Sequence, residues 1–289
     1  MNNLWRRGSR SIGFKGGIIS VTTLKIALCQ MLITADKQAN LKQTAEKVQE
    51  AVAGGAQLAV LPEMFNCPYD IQCFRDYAEE IPGETTSYLS SLARTYGLFL
   101  VGGSIPELSG DLLYNTSVVF NPQGEITARH RKAHLFDVRV KNGIEFTESL
   151  VLSPGNTATL FETPWGKVGL EICYDIRFPE LTRKMAKDGA RLVIVPAAFN
   201  MTTGPLHWEL LFRSRALDNQ IFMLGASPAR DPQASYVAYG HSLVINPWGK
   251  VLAQLDEKPG ILLVELDLTQ VEEVREALPI WKQRREDLY

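Results

Sequence analysis

The chain has 289 residues, 45% of them hydrophobic and 21% charged, and a formal net charge of −2 at pH 7. That is enough chain for one large domain or two small ones, in the proportions of a globular protein. The balanced charge excludes a general electrostatic case for nucleic acid or an acidic membrane surface, and no apolar run approaches the about 20 residues that span a bilayer.

Four cysteines (Cys29, Cys67, Cys73 and Cys173) in a chain of this length do not make a disulfide framework. A reducing compartment is expected, hence a cytoplasmic location. Cys67 and Cys73 are too far apart for a zinc knuckle. Among the four histidines only His130 and His134 stand four apart, and in a strand-and-loop context, so no metal site is expected.

Residues 1–22 carry Arg6, Arg7, Arg10 and Lys15 and no acidic residue. An organellar transit peptide has that composition. The alternative is translated leader, because Lys15-Gly16-Gly17 can be encoded by AAGGAGG, a ribosome-binding sequence, and Val21 by a GTG start. The codons decide between them, and either way the segment is expected to be peripheral to the fold.

From Leu24 the pattern is regular. Leu24–Cys29 is β-rich, and residues 37–53 place Leu41, Ala45, Val48 and Val52 on one helical face before Gly54-Gly55. Leu58–Leu61 predicts a short buried strand ending at Pro62-Glu63. Tyr88–Tyr96 predicts a helix and Leu98–Val101 a strand, closed by Gly102-Gly103. After Leu112 hairpins take over, with Asn121-Pro-Gln-Gly124 between the strands Ser117–Phe120 and Glu125–Arg131. The same turn chemistry recurs at Thr163-Pro-Trp-Gly166 and Asn246-Pro-Trp-Gly249: proline presets φ and glycine accepts the left-handed conformation. Helices are predicted at Pro179–Asp188, His207–Asn219 and Thr269–Ala277, with strands at Leu192–Val195, Ile221–Leu224 and Ile261–Leu266. Alternating strands and helices with no linker predict one α/β domain over residues 23–289, with mixed sheets covered by helices.

The chain is organised around Gly166–Glu180. Val168–Ile172 predicts a buried strand that delivers Cys173 at its end, and Pro179 suits the first turn of a new helix. A thiol exposed there, near backbone N–H groups, combines a nucleophile with an oxyanion hole. A buried core cysteine is the alternative. Glu63 and Lys132 also follow predicted strands, and in an α/β sheet such ends meet at a common site. Taken alone, Glu63 is equally a solvated loop acid. Lys132, within Arg129-His-Arg-Lys-Ala-His134, is equally part of a solvated face.

Leu61-Pro-Glu-Met-Phe65, Arg131-Lys-Ala-His-Leu-Phe136 and Gly169-Leu-Glu-Ile-Cys-Tyr-Asp-Ile-Arg-Phe-Pro-Glu180 resemble, in order, the three signature blocks of the nitrilase (carbon–nitrogen hydrolase) superfamily. The resemblance runs from about Leu24 to Tyr289. It implies a single-domain α-β-β-α sandwich and a triad of Glu63, Lys132 and Cys173, with no metal or cofactor. Glu148 matches the second glutamate of that family. Chemically, Glu63 would take the thiol proton, while Lys132 and the N–H of Tyr174 would hold the oxyanion.

Finer resemblance favours the ω-amidase branch. Phe65-Asn-Cys-Pro-Tyr69, Gly102-Gly-Ser-Ile-Pro106, Ala198–Trp208, Ala226-Ser-Pro-Ala-Arg230 and Arg284–Tyr289 all look like it. Members of that branch hydrolyse the ω-amides of 2-oxoglutaramate and 2-oxosuccinamate. Tyr69, Phe199 and Thr202 are its implied pocket residues. Arg177 is the candidate for the substrate carboxylate, unless it only pairs with Glu171, Asp175 or Glu180. The resemblance also implies a homodimer or higher homo-oligomer, with a small amide and water as the reactants and no nucleic-acid or membrane partner. An amidase for deaminated glutathione, another amidase or carbamoylase, and a non-catalytic binding protein are the alternatives.

Overall fold

The computed structural model describes residues 22–288, so the basic segment, apart from Thr22, and the final Tyr289 lie outside the described residues. In chain order the first half comprises β1 (Thr23–Gln30), α1 (Lys37–Ala53), β2 (Leu58–Val60), α2 (Phe74–Tyr77), α3 (Glu84–Tyr96), β3 (Phe99–Val101), β4 (Ile105–Ser109), β5 (Leu112–Phe120) and β6 (Ile126–Arg131). The second comprises β7 (Asp137–Arg139), β8 (Glu145–Thr147), β9 (Thr159–Thr163), β10 (Gly166–Leu170), α4 (Pro179–Lys187), β11 (Leu192–Pro196), α5 (Gly204–Asn219), β12 (Phe222–Ala226), β13 (Leu243–Ile245), β14 (Val251–Gln254), β15 (Gly260–Asp267) and α6 (Gln270–Ala277).

Two sheets form. One runs β15-β1-β2-β3-β5-β4 with β6 paired to β5, the other β14-β13-β12-β11-β10-β9, and β7 and β8 make a separate hairpin. The strand alternation explains the layering. Leu24, Ile26 and Leu28 of β1, Leu58 and Val60 of β2, Val168 and Leu170 of β10 and Leu192 and Ile194 of β11 meet in one core between the sheets. Their sequence neighbours Ala27, Cys29 and Ala59 face the other way, beneath Leu41 and Val48 of α1 and Leu89 and Leu92 of α3. Val193 and Val195 likewise pack under Met185 of α4 and Trp208 and Phe212 of α5. A period of two with both sides apolar is what a strand buried on two faces requires. The result is the α-β-β-α sandwich.

β1, β2 and β3 are mutually parallel, as are β10, β11 and β12. Because β5 is antiparallel to both β3 and β6, the C-terminal end of β6 lies on the same edge as those of β2 and β3. Ligand sites of α/β sheets form there.

Boundaries shift in informative places. α3 begins four residues before Tyr88, because Thr86 Oγ1 accepts the Gly83 N–H at 2.8 Å and starts the helix earlier. β10 stops at Leu170, two residues short of the expected strand, and Cys173 opens a 3-10 turn over Cys173–Arg177. The thiol is buried instead of exposed. The expected turns are present: Gly124 and Gly249 adopt φ of 80° and 73° and donate to Asn121 O and Asn246 O at 2.8 Å. The short helix α2 and the β7–β8 hairpin carry no periodic apolar pattern and were not expected from the sequence.

Candidate active site

Lys132 follows β6 directly and is completely buried. Its N–H donates to Asn115 O and its own carbonyl accepts from the Gly155 N–H, both at 2.8 Å, so its backbone is held from two sides. The Nζ sits between two carboxylates, 3.0 Å from Glu63 Oε1 and 2.9 Å from Glu148 Oε1. Burial works against the ammonium, yet the charges of Glu148 and Glu63 outweigh it and hold the Lys132 pKa well above the usual value.

Glu63 is buried on the loop after β2. Besides Lys132, its Oε1 accepts from Asn115 Nδ2 at 2.8 Å, and its Oε2 accepts from the Ala198 N–H at 2.7 Å, beyond the end of β11. Glu148 opens a 3-10 turn after the hairpin, and its Oε2 accepts from the Phe136 N–H at 2.7 Å. The Tyr69 hydroxyl lies 2.6 Å from Glu148 Oε1 and 3.2 Å from Glu63 Oε1; its single proton goes to the nearer oxygen.

Cys173 is 4% exposed and has a φ of +46°, a left-handed conformation that costs a non-glycine residue on the order of 1–3 kcal/mol. Met64, beside Glu63, has a φ of +50°. Burial, followed by the Glu63 charge, pushes the Cys173 thiol well above the ordinary value, and the nearby Lys132 only partly offsets this. The resting group is therefore a neutral thiol.

Asp175 ties the lysine segment to the cysteine segment. Its carboxylate accepts from the Ile172 N–H at 3.1 Å, the His134 N–H at 2.9 Å, His130 Nε2 at 3.0 Å and His134 Nδ1 at 2.8 Å. Burial alone would raise its pKa, but the hydrogen bonds from His130 and His134 prevail and hold it below the carboxylate range. The sequence pair His130/His134 thus shares a carboxylate. Among the described residues no cluster of His, Cys, Asp and Glu is arranged to hold a metal ion.

Arg177, at the end of the same turn, lines the small cavity over Cys173 with Phe136, Tyr174, Phe199 and Tyr236. Its guanidinium stands 4.9 Å from the Phe199 ring centre and 5.6 Å from that of Tyr174, and its Nη1 donates to His207 Nδ1 at 3.1 Å. It makes no ion pair with Glu171, Asp175 or Glu180. Burial lowers its pKa, and burial together with the adjacent Arg177 charge lowers that of His207, which accepts as the neutral ring. Thr202 is exposed and stands outside this cavity, whereas Asn200 and Thr203 line it.

Sequence reasoning missed Tyr236, His207, Asn115 and Asp175 in these roles. Asn115 stands beside Thr116 and Ser117 in β5, and Asp175 stands beside Tyr174 in a turn that ends at Arg177, so neither is marked as a lone polar residue in an apolar run. Tyr236 and His207 carried no signal either. Lys132 and His130 do not share the solvated face that the charged run taken alone would give. In β6 the side chains alternate, so Arg129 and Arg131 reach Glu107 at 3.2 and 2.6 Å while His130 and Lys132 turn inward.

The carbon-nitrogen hydrolase family profile matches residues 25–276. Over 265 residues the chain is 51% identical to the omega-amidase of Xenopus tropicalis, covering 92% of this chain and 96% of that one. Over 269 residues it is 49% identical to the human omega-amidase, covering 93% and 98%. Among solved structures, Saccharomyces cerevisiae Nit3 of the nitrilase superfamily superposes with a TM-score of 0.84 at 45% identity, covering 91% of this chain and 97% of that chain. A mutant amidase from Nesterenkonia sp. AN1, covalently modified at its active site cysteine by the acetamide moiety of fluoroacetamide, gives 0.72 at 28% identity, covering 90% and 97%. Four layers, ordered signature blocks and a family profile spanning most of the chain agree: this protein belongs to the carbon-nitrogen hydrolase family.

Proposed function

We propose that the protein is an ω-amidase in which Cys173 is the nucleophile, Glu63 the proton carrier and Lys132 the oxyanion donor. The thiol attacks the amide carbon as its proton passes to Glu63. The negative charge moves to the amide oxygen, where Lys132 Nζ and the Tyr174 N–H receive it. Glu63 then returns the proton to nitrogen, the C–N bond breaks, and ammonia leaves a thioester on Cys173. Glu63 next takes a proton from water, hydroxide adds to the thioester, and collapse expels the thiolate, which Glu63 reprotonates as the acid departs. A thiol held neutral at rest by burial and by the adjacent Glu63 charge supports transfer coupled to attack. Glu148 shares the charge of Lys132 and keeps it protonated in a dry site.

The observation that carries the substrate assignment is Arg177, a cation beside Cys173 that no carboxylate in the described chain neutralises. The substrate class is accordingly a small amide with a carboxylate at its other end, such as 2-oxoglutaramate or 2-oxosuccinamate, in keeping with the omega-amidase relatives. Phe199 lines the pocket and Tyr69 backs it by packing on Tyr236, whereas Thr202 lies outside it.

Residues 23–289 form one catalytic domain, with residues 1–22 as an extension to it. Among the described residues no helix is long and apolar enough to cross a membrane. Free cysteines, the nucleophile among them, favour the cytoplasm. Leu206, Leu210, Leu217 and, beside α5, Trp248 are exposed on its outer surface, and this face supports self-association into a homodimer or higher homo-oligomer.

The test is ammonia release from 2-oxoglutaramate, 2-oxosuccinamate, deaminated glutathione and a simple nitrile by wild type and Cys173→Ala. Preference for the two oxo-acid amides, lost in the variant, is expected. Preference for another amide would move the substrate and keep the mechanism. Absence of turnover by folded protein would overturn both.

A further inference from the structure

At the C-terminal ends of the strands Tyr236 stands between two cavities, and it also lines a third against the β7–β8 hairpin. The pocket over Cys173 measures about 10 Å³, room for about one water molecule. The second cavity measures about 330 Å³, within the size range of small-molecule sites, and lies against the loops after β1, β2 and β12. Only Ala198 and Tyr236 line both. Ala198 is committed as backbone: its N–H donates to Glu63 at 2.7 Å and its carbonyl accepts from the Tyr236 hydroxyl at 2.6 Å. The removable part of the wall is the Tyr236 ring, which leans on the Tyr69 ring with 4.5 Å between centres.

We propose that Tyr236 is a specificity-determining residue that keeps amides substituted on nitrogen away from Cys173, and that the space behind it accepts their amine portion once the ring is removed. The direction follows from Glu63. It gives a proton to the departing nitrogen, and it lines the second cavity, so that cavity lies on the leaving-group side. Arg177, which would hold the acyl carboxylate, lines the Cys173 pocket and not the second cavity. Ile33, Met64 and Ala229 make the second cavity largely apolar, and Asp231 opposes an anion there. The admitted class is therefore amides whose nitrogen carries a neutral or cationic, mostly aliphatic group. This inference rests on Cys173 as the nucleophile and on the oxo-acid amide reading.

The experiment compares wild type, Tyr236→Phe and Tyr236→Ala, with Tyr236→Val as a second truncation should the alanine variant fold poorly. The kcat/KM for 2-oxoglutaramate is measured against that for its N-butyl derivative. In parallel, Cys173 alkylation by iodoacetamide and by N-hexyl iodoacetamide is followed by peptide mapping. Wild type and Tyr236→Phe are expected to reject the bulky partner of each pair by about 100-fold, the steric cost of overpacking, and the truncations to within about tenfold. A truncated variant that keeps wild-type discrimination in both pairs overturns the proposal. Equal discrimination lost in Tyr236→Phe also overturns it, because the hydroxyl and not the ring would then be the barrier. The alkylation pair reads thiol access alone, so it stands even where 2-oxoglutaramate proves not to be a substrate.

Discussion

The buried carboxylates near Cys173 have different hydrogen-bond partners. Glu63 and Glu148 share Lys132 and each accepts a backbone N–H, whereas Glu171 accepts only from Thr182 Oγ1 at 2.6 Å and leaves its Oε2 without a partner. Burial accordingly pushes Glu171 up to about 8 from an ordinary 4.5. Between those values the folded chain holds a proton that the unfolded chain has lost, so stability falls as pH rises through that window. Glu171→Gln should remove this part of the pH dependence: urea midpoints at about pH 5 and about pH 9 should converge relative to wild type. Arg177 makes a separate prediction. Arg177→Gln should lower kcat/KM for 2-oxoglutaramate about 100-fold, the worth of a charged hydrogen-bond pair, while changing a carboxylate-free amide such as butyramide only a few-fold. Equal losses on both amides would mean that Arg177 shapes the turn and does not bind the substrate.

At the scale of elements, the site depends on close approaches that only small residues permit. A Cβ on Gly155 would lie 2.1 Å from the Arg131 carbonyl oxygen, immediately before Lys132, and one on Gly103 would lie 2.1 Å from Pro62 O, immediately before Glu63. Gly155→Ala should therefore displace the end of β6, lowering stability by about 1–3 kcal/mol and reducing kcat in the fraction that remains folded. Denaturant unfolding and active-site titration of the same samples separate the two effects. Arg215 steadies the Cys173–Arg177 turn by a different means. From α5 its guanidinium donates to Ile176 O at 2.9 Å and Arg177 O at 3.2 Å, so a helix of the outer layer steadies a turn at the sheet end.

For the whole molecule, each sheet supplies part of the proposed site: Glu63 and Lys132 come from loops after β2 and β6, and Cys173 from the turn after β10. The core between the sheets sets their separation, and Asp175 joins the two sides locally. The opposite face of α5 is left to solvent, with Leu206 and Leu210 74% and 62% exposed. Leu210→Glu should shift the protein towards monomer in sedimentation or light scattering, leaving the far-ultraviolet circular dichroism unchanged. A wild type that is already monomeric at working concentration would dismiss that interface.

Local pattern in the amino-acid sequence determined most strands, the principal helices and the repeated Pro-Gly turns, while the family resemblance singled out Glu63, Lys132, Cys173 and Glu148 as candidates. Periodicity and turn chemistry act over a few residues, and the signature blocks are contiguous. What only the tertiary structure decided lies in contacts across many residues. The Arg129–His134 run is charged in sequence, yet strand alternation and Glu107 divide it into a paired outer row and a buried inner one. Arg177 is surrounded by acids in sequence, yet its turn carries it to His207 and the Cys173 cavity. Tyr236 enters the site from a loop 63 residues beyond the nucleophile, where no local pattern marks it. Side-chain direction and desolvation are set by packing between layers, and for these residues that packing determines charge, partner and role.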